Sequence, residues 1–317
     1  MIRILIPLDG SRAAEKSLHH AIAIAKTFPA ELILLRVIAQ SDTQETVRVD
    51  CVDLALSRRQ AKAYLDGLLD QYATQSLPIS CEVTEGHPAE TIVQFIANTK
   101  PDLLVLTRYG HGNAEDFATG GTAHKIVSRI DCSVLLLDPH SPTDPKDYYR
   151  RILVPVDDGK DSDCAVAVAA MIAEIHDASM LLLHVTDEPR LPAGLPDTRH
   201  AHQIVSELRR LVRNEAERRL RNLAAKMPQE VSVETRLLVS PDISLAIEIT
   251  AEERDSDLLL LHTIGPGSEQ GRRYNCIIEP LILCSHRPLF ILRPPTGEGL
   301  ASNFRSVYLG EQRLEVG

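Results

Sequence analysis

Two stretches of this 317-residue chain carry residue types able to do chemistry: an acid at a turn, and a loop rich in glycine. The acid is Asp9, in the turn Pro7-Leu8-Asp9-Gly10 that ends the apolar run MIRILI. A carboxylate there accepts hydrogen bonds from an exocyclic amine or a ribose hydroxyl. The loop runs from Thr107-Arg108-Tyr109-Gly110 to Gly120-Gly121-Thr122. Its glycines free backbone N–H groups to hold phosphate oxygens, and a helix after Thr122 adds its positive end.

Each feature also has a purely structural reading. Asp9 and Asp157 cap the helices that follow them, which is the preferred reading for Asp157, and Gly110, Gly112, Gly120 and Gly121 serve only as turn residues. Ser11 is best explained as a helix cap, so Ser11, Asp9 and His111 do not make a catalytic triad. Gly159-Lys160 lacks the upstream glycine and following hydroxyl of a Walker loop, because Asp161 comes next. The pairs His19-His20 and His200/His202 read as a core-side helix position and a solvated loop end rather than metal ligands. The helix through 206–226 interleaves Arg209, Arg210, Arg213, Arg218, Arg219 and Arg221 with Glu207, Glu215 and Glu217, as in a salt-bridged exposed face. Binding of an acidic partner is its minority reading.

The elements that must position these residues come from an internal repeat. RRILVPVDDG at 150–159 reproduces the opening MIRILIPLDG. The step from Asp9 to Val37 is 28 residues, and so is that from Asp157 to Val185. Gly110, Gly120 and Pro139 are spaced by 10 and 19, as are Gly265, Asn275 and Pro294. The second copy is six residues longer where PRLPAGLPDTRH reads as a Pro-rich surface loop.

Within each copy, apolar runs alternate with segments of helical period, such as Ala14, Leu18, Ala21 and Ala25. Strands are expected near 2–8, 32–38, 79–84, 102–107 and 133–138, then near 151–157, 179–185, 231–238, 257–262 and 288–293. Helices are expected near 12–27, 46–75, 88–98 and 121–130, with a matching set in the second copy. Runs such as DLLVL and DLLLLH lack alternation, as strands covered on both faces do. The fold class is therefore α/β, with two tandem doubly wound parallel five-stranded sheets of order 3-2-1-4-5, Rossmann-like. That order puts the ligand crevice between the first and fourth strands, with Asp9 facing the Gly110 loop. The domains are read as 1–139 and 150–294, joined by a polar linker at 140–149 and followed by a tail at 295–317.

Composition narrows the function. The 34 Lys and Arg stand against 44 Asp and Glu, for a formal net charge of −10, which disfavours a non-specific grip on nucleic acid. No apolar stretch is long enough to cross a membrane, and Met1 leads into Arg3 and a strand rather than a cleavable signal, so the expected address is cytoplasmic. The six cysteines, without metal or CxxC spacing, are expected to be reduced and mostly buried.

With these residues in view, the chain resembles tandem members of the universal stress protein family over about residues 1–294. The resemblance rests on ILIPLDGS, the Gly86-His87-Pro88-Ala89 turn, PDLLVL and Gly120-Gly121-Thr122, and it implies an adenine nucleotide alpha hydrolase-like fold. Nucleotide-binding members carry glycine, two residues, glycine, nine residues, glycine, then serine or threonine. Here Thr107 stands at the first glycine, Gly110 and Gly120 fit the next two, and Gly121 displaces the hydroxyl to Thr122. The second copy has His262, Gly265, Asn275 and Cys276 there, a degenerate site.

The resemblance implies ATP or another adenine nucleotide in the first domain only, held by Pro7, Leu8, Asp9, Val37, Thr107, Gly110, Gly120, Gly121 and Thr122. It implies no metal and no catalytic residue, at most a weak ATPase, and action through an unknown protein partner in stress response. Pairing of SVLLLD with PLFILR is expected to make an internal pseudo-dimer, with a homodimer of chains as an open extension. The alternatives are an interaction module with both pockets closed and an adenylyl-transferring or ATP-hydrolysing enzyme. For the last, the SGGxDS and HIGH signatures are absent.

Overall fold

An apolar run that pairs on both edges and is covered on both faces has no solvent side, so it needs no polar alternation. The computed structural model describes residues 1–39, 51–72, 77–108, 121–141, 147–157, 159, 162–187, 198–263 and 269–293, with backbone alone at 51–53 and 269–276. In the first repeat the elements are β1 (Ile2–Pro7), α1 (Arg12–Thr27), β2 (Ala30–Ala39), α2 (Cys51–Tyr72), β3 (Ile79–Gly86), α3 (Pro88–Thr99), β4 (Leu103–Thr107), α4 (Thr122–Val127) and β5 (Ser133–Leu137). The second has β6 (Arg151–Pro155), α5 (Ser162–His176), β7 (Ser179–Thr186), α6 (Arg199–Ala224), β8 (Val233–Val239), α7 (Ile243–Glu253), β9 (Leu258–His262), α8 (Glu269–Cys284) and β10 (Leu289–Leu292).

The described residues fall into two compact units, Met1–Tyr148 with the stretch that begins at Pro288, and Tyr149–Arg287. In the first unit the strand order is β3-β2-β1-β4-β5-β10. β1 to β5 are parallel, with Ile4 opposite Leu103 on β4 and Pro7 opposite Leu35 on β2. β10 runs antiparallel beside β5, pairing Leu289 with Leu136 and Ile291 with Val134. In the second unit β8-β7-β6-β9 are parallel and repeat the order third, second, first, fourth, with β10 as fifth strand by chain order. The fold is the tandem doubly wound α/β arrangement expected from the sequence.

Helix boundaries follow local chemistry. Ser11 caps α1 by accepting from Ala14 N at 3.1 Å, and the expected stripe Ala14, Leu18, Ala21 and Ala25 is buried against the sheet. Pro88 opens α3, where its missing N–H costs nothing.

α4 stops at Val127, short of the expected 130, and Arg293 donates to the carbonyls of Val127, at 2.9 Å, and Ile130 beyond its end. α6 begins at Arg199, capped by Thr198, and so starts earlier than the expected 206. His200 and His202 therefore lie in its first turn rather than in a loop. Tyr149, expected in a polar linker, is buried and stacks on His176 with ring centroids 5.8 Å apart. Of the four described cysteines only Cys164 is buried, so the expectation of mostly buried thiols does not hold among them.

Gly86 closes β3 at φ +137°, a region side-chain-bearing residues rarely adopt, and a Cβ there would lie 2.5 Å from Thr91 Oγ1. Thr91 can rotate away but the backbone cannot, so Gly86→Ala is expected to destabilise the chain by about 1–3 kcal/mol. Chemical denaturation would show this as a lowered midpoint, with circular dichroism unchanged in the native state.

Candidate functional site

Parallel register carries the two chemistry-bearing stretches to the same end of the first sheet. Asp9 follows the carboxyl end of β1, Thr107 is the last residue of β4, and β1 and β4 are neighbours. Gly121 is the cap of α4 and Thr122 its first residue, at the end where the chain returns from β4. Val37 lies near the end of β2, two residues past the Leu35 whose carbonyl accepts from Leu8 N at 2.8 Å. Pro7, Leu8 and Thr107 are buried, Asp9, Val37 and Gly121 half-buried, and Thr122 exposed. Gly110 and Gly120 lie outside the described residues.

The Asp9 turn is built in layers. Asp9 Oδ1 accepts from Ser11 N at 2.9 Å, and Gly10 sits at φ +83°, so the chain turns sharply from strand into helix. The cap is Ser11 rather than Asp9. Arg36, from β2, donates Nη1 to Leu8 O at 3.0 Å. Its guanidinium lies so close over Gly10 that a Cβ there would come within 3.6 Å of it. One turn into α1, Glu15 Oε1 accepts from Tyr64 Oη at 3.1 Å. Burial, then the Glu15 carboxylate, pushes the Tyr64 phenol well above its ordinary range, so it stays a protonated donor.

The corresponding turn of the second repeat is closed by one side chain. Asp163 stands 148 residues after Glu15, the offset that separates Asp157 from Asp9. Arg219, from α6, donates Nε to Asp157 O at 2.5 Å and Nη2 to Gly159 O, to Ser162 Oγ at 3.0 Å and to Asp163 Oδ1 at 2.9 Å. The side chains of Arg219 and Asp163 are 18% and 21% exposed, so the pair is largely shielded from screening.

Thus α2 and α6 each reach the acid in the first turn of the preceding helix, with a phenol in one repeat and a guanidinium in the other. His184 occupies the place of Arg36, at the same offset. The exposed face expected for α6 holds for Arg210–Glu207, Arg218–Glu215 and Arg221–Glu217, but not for Arg219. The Oδ1 of Asp157 is buried without a hydrogen-bond partner among the described residues, and residues 158, 160 and 161, through which it would cap α5, lie outside them.

Sequence reasoning missed Arg36, Tyr64 and Arg219; the equal offset of Glu15 and Asp163 was the available signal. Beside Thr107 a small cleft is lined by Lys16, His20, Leu137, Asp138 and Ser141. Burial, then the neighbouring His19, lowers the His20 pKa to about 4, while Asp147 opposes the shift. Among the described residues no cluster of three or more His, Cys, Asp or Glu is placed to hold a metal ion, and no helix is long and apolar enough to cross a membrane. Burial pushes the Cys132 thiol up to about 12, which removes it as a nucleophile at neutral pH.

Fold and turn geometry together define a tandem doubly wound α/β protein with two unlike strand-to-helix turns. The model of the Universal stress protein family matches residues 1–138 and 148–291, and the chain belongs to that family. A universal stress protein of Methanocaldococcus jannaschii is 29% identical over 137 residues, covering 43% of this chain and 81% of its own. The crystal structure of a universal stress protein from Archaeoglobus fulgidus is similar in fold, with a TM-score of 0.65 and 16% identity over 93% of this chain and 97% of that one. A putative universal stress protein from Pseudomonas aeruginosa gives 0.63 and 13% over 97% of each.

Removing Arg219 takes its donors from the Asp163 carboxylate and the Asp157 carbonyl, while Gly159 O keeps the Ser162 hydroxyl at 3.1 Å. Arg219→Ala is expected to cost about 2–4 kcal/mol, read by chemical denaturation, and Asp163→Asn less, since the guanidinium keeps its carbonyls. For His20, the folded value of about 4 lies below the ordinary 6.5, so between those values the unfolded chain takes up a proton that the folded chain refuses. Stability is expected to fall as pH drops from 6.5 to 4, by about 3 kcal/mol at most, and His20→Gln should flatten the dependence. A wild-type chain whose denaturation midpoint stays constant across that window would contradict the assignment.

Proposed function

We propose that this universal stress protein binds ATP or another adenine nucleotide in its first repeat alone, and acts in stress response through a protein partner rather than by turnover. The observation that carries this reading is the unequal state of the two turns. In the second repeat, Arg219 gathers two backbone carbonyls, the Ser162 hydroxyl and the Asp163 carboxylate onto one guanidinium. In the first, that work is divided between Arg36 and Tyr64, and the Asp9 carboxylate stays half-exposed at the end of the sheet that Thr107 shares.

The base and ribose would meet Pro7, Leu8, Asp9 and Val37. The phosphates would meet the backbone from Thr107 through Gly110 and Gly120 to Gly121 and Thr122. Asp9 accepts from ligand hydroxyl or amine groups, and backbone N–H groups answer the anionic end. No residue of the set is a nucleophile or an acid–base pair, so the reading stops at binding.

Titration calorimetry with ATP and AMP tests it, with thermal unfolding as a second readout. One nucleotide per chain is expected, stabilising the fold by about 2.7 kcal/mol at a hundred times the dissociation constant. Asp9→Ala should abolish both heat and protection. Absence of heat with any adenine nucleotide at millimolar concentration would favour the closed interaction module. Binding that survives Asp9→Ala would move the site elsewhere, and steady release of ADP, AMP or pyrophosphate would favour an enzyme.

A further inference from the structure

Arg36 brings more hydrogen-bond donors to the first turn than the turn uses. A guanidinium is a fork of several N–H groups, and among the described residues Arg36 uses only Nη1, on Leu8 O at 3.0 Å. The side chain is half-buried with its flat face over Gly10, where a Cβ would lie 3.6 Å from Nη2, 3.7 Å from Nη1 and 3.8 Å from Cζ. None of its nitrogens is both buried and unpaired, so the unused donors face water at the open end of the sheet.

The two nearby carboxylates are engaged elsewhere. Glu15 accepts from the Tyr64 phenol at 3.1 Å and Asp9 from Ser11 N at 2.9 Å, and among the described residues neither forms an ion pair with Arg36. The second repeat differs at the same offset. His184 is buried there, and the guanidinium at that turn, Arg219, is held by Asp163 as well as by turn oxygens. Accessible cationic donors are thus a property of the first turn.

Strand order places those donors relative to the rest of the site. β2 and β4 flank β1 on opposite sides, so Arg36 and Thr107 stand on either side of the Asp9 turn, on strands about 10 Å apart at the usual spacing. Across the end of the sheet the chain offers a cation at Arg36, an acceptor at Asp9, and then the β4 side, which the proposed site gives to the 5′-phosphates. A nucleotide phosphorylated only at its 5′ end fills the last two places and leaves the guanidinium without an anion.

We propose that Arg36 makes the first repeat selective for an adenine nucleotide that carries a second phosphate on its ribose, at the 2′ or 3′ oxygen. This inference rests on the nucleotide reading of that repeat. The ribose phosphate meets the guanidinium through charge-assisted hydrogen bonds, and Asp9 takes an amine or hydroxyl between the two phosphates. The bond from Nη1 to Leu8 O holds the fork in place before a ligand arrives, which lowers the cost of ordering it.

Titration calorimetry of the full chain tests this, with adenosine 3′,5′-bisphosphate and adenosine 2′,5′-bisphosphate each compared with AMP at one ionic strength. At least one bisphosphate is expected to bind about tenfold or more tighter than AMP, with the advantage shrinking as salt is added. Arg36→Gln, which keeps an amide donor for Leu8 O, should bring bisphosphate and AMP to nearly equal affinity. Arg36→Lys, with the charge but without the fork, should retain only part of the preference.

AMP binding that is lost in Asp9→Ala, with neither bisphosphate tighter than AMP, overturns this inference and leaves the nucleotide reading standing. A full preference that survives in Arg36→Gln with native circular dichroism assigns the second phosphate to another residue and overturns it too. Should Arg36→Gln lose the native fold, an undiminished preference in Arg36→Lys has the same force. A chain that binds no adenine nucleotide removes both readings together.

Discussion

A parallel strand that ends in a buried sheet and turns within a few residues into a helix leaves carbonyl oxygens pointing away from any ladder partner. Those oxygens need donors, and here arginine side chains supply them. In the first repeat Arg36 reaches Leu8 O from β2, and in the second Arg219 reaches Asp157 O and Gly159 O from α6. The difference of origin matters more than the likeness of chemistry. A guanidinium from α6 also lies beside the acid of the next helix turn, so it is held by Asp163 as well as by the backbone. Moving it would strand a largely buried carboxylate, whereas the first turn divides its bonds between two side chains that can yield separately. This unequal sharing of bonds is the physical ground of the proposal that two halves of common design differ in role.

The repeat, the strand order and the caps were legible because they depend on local sequence. MIRILIPLDG and RRILVPVDDG announce the same strand and turn, and Ser11 and Pro88 sit where their side chains satisfy helix starts. The turn clamps were not legible, because they join residues far apart. Tyr64 meets Glu15 across 49 positions, and Arg219 meets Asp157 across 62. Arg219 sits among five neighbouring arginines of identical propensity, and only the tertiary position of one helix face sends it inward. The capping of α4 is equally remote in sequence, since Arg293 reaches Val127 O from 166 positions away. Of the candidate site, Asp9 and its turn were readable in the opening ten residues; what holds them was not.

Arg293 also shows why the end of the second repeat belongs with the first sheet. β5 and β10 are buried along their whole length and apolar but for Ser133, and each without the other would present an unpaired edge of backbone donors and acceptors. Antiparallel pairing of Phe290 with Leu135 closes that edge, while Arg293 N donates to Ser133 Oγ at 3.2 Å and its guanidinium takes the last carbonyls of α4. Joining both strands in one chain makes the closure intramolecular, so it no longer depends on protein concentration.

That has a consequence for how copies meet. A single repeat must satisfy its fifth strand through another molecule, which commits the sheet edge to the strongest contact available. The tandem chain has already satisfied it, so any further association is left to helix faces, where exposed aliphatic stripes and local charge replace backbone hydrogen bonds. Contacts of that kind are weaker, salt-sensitive and reversible.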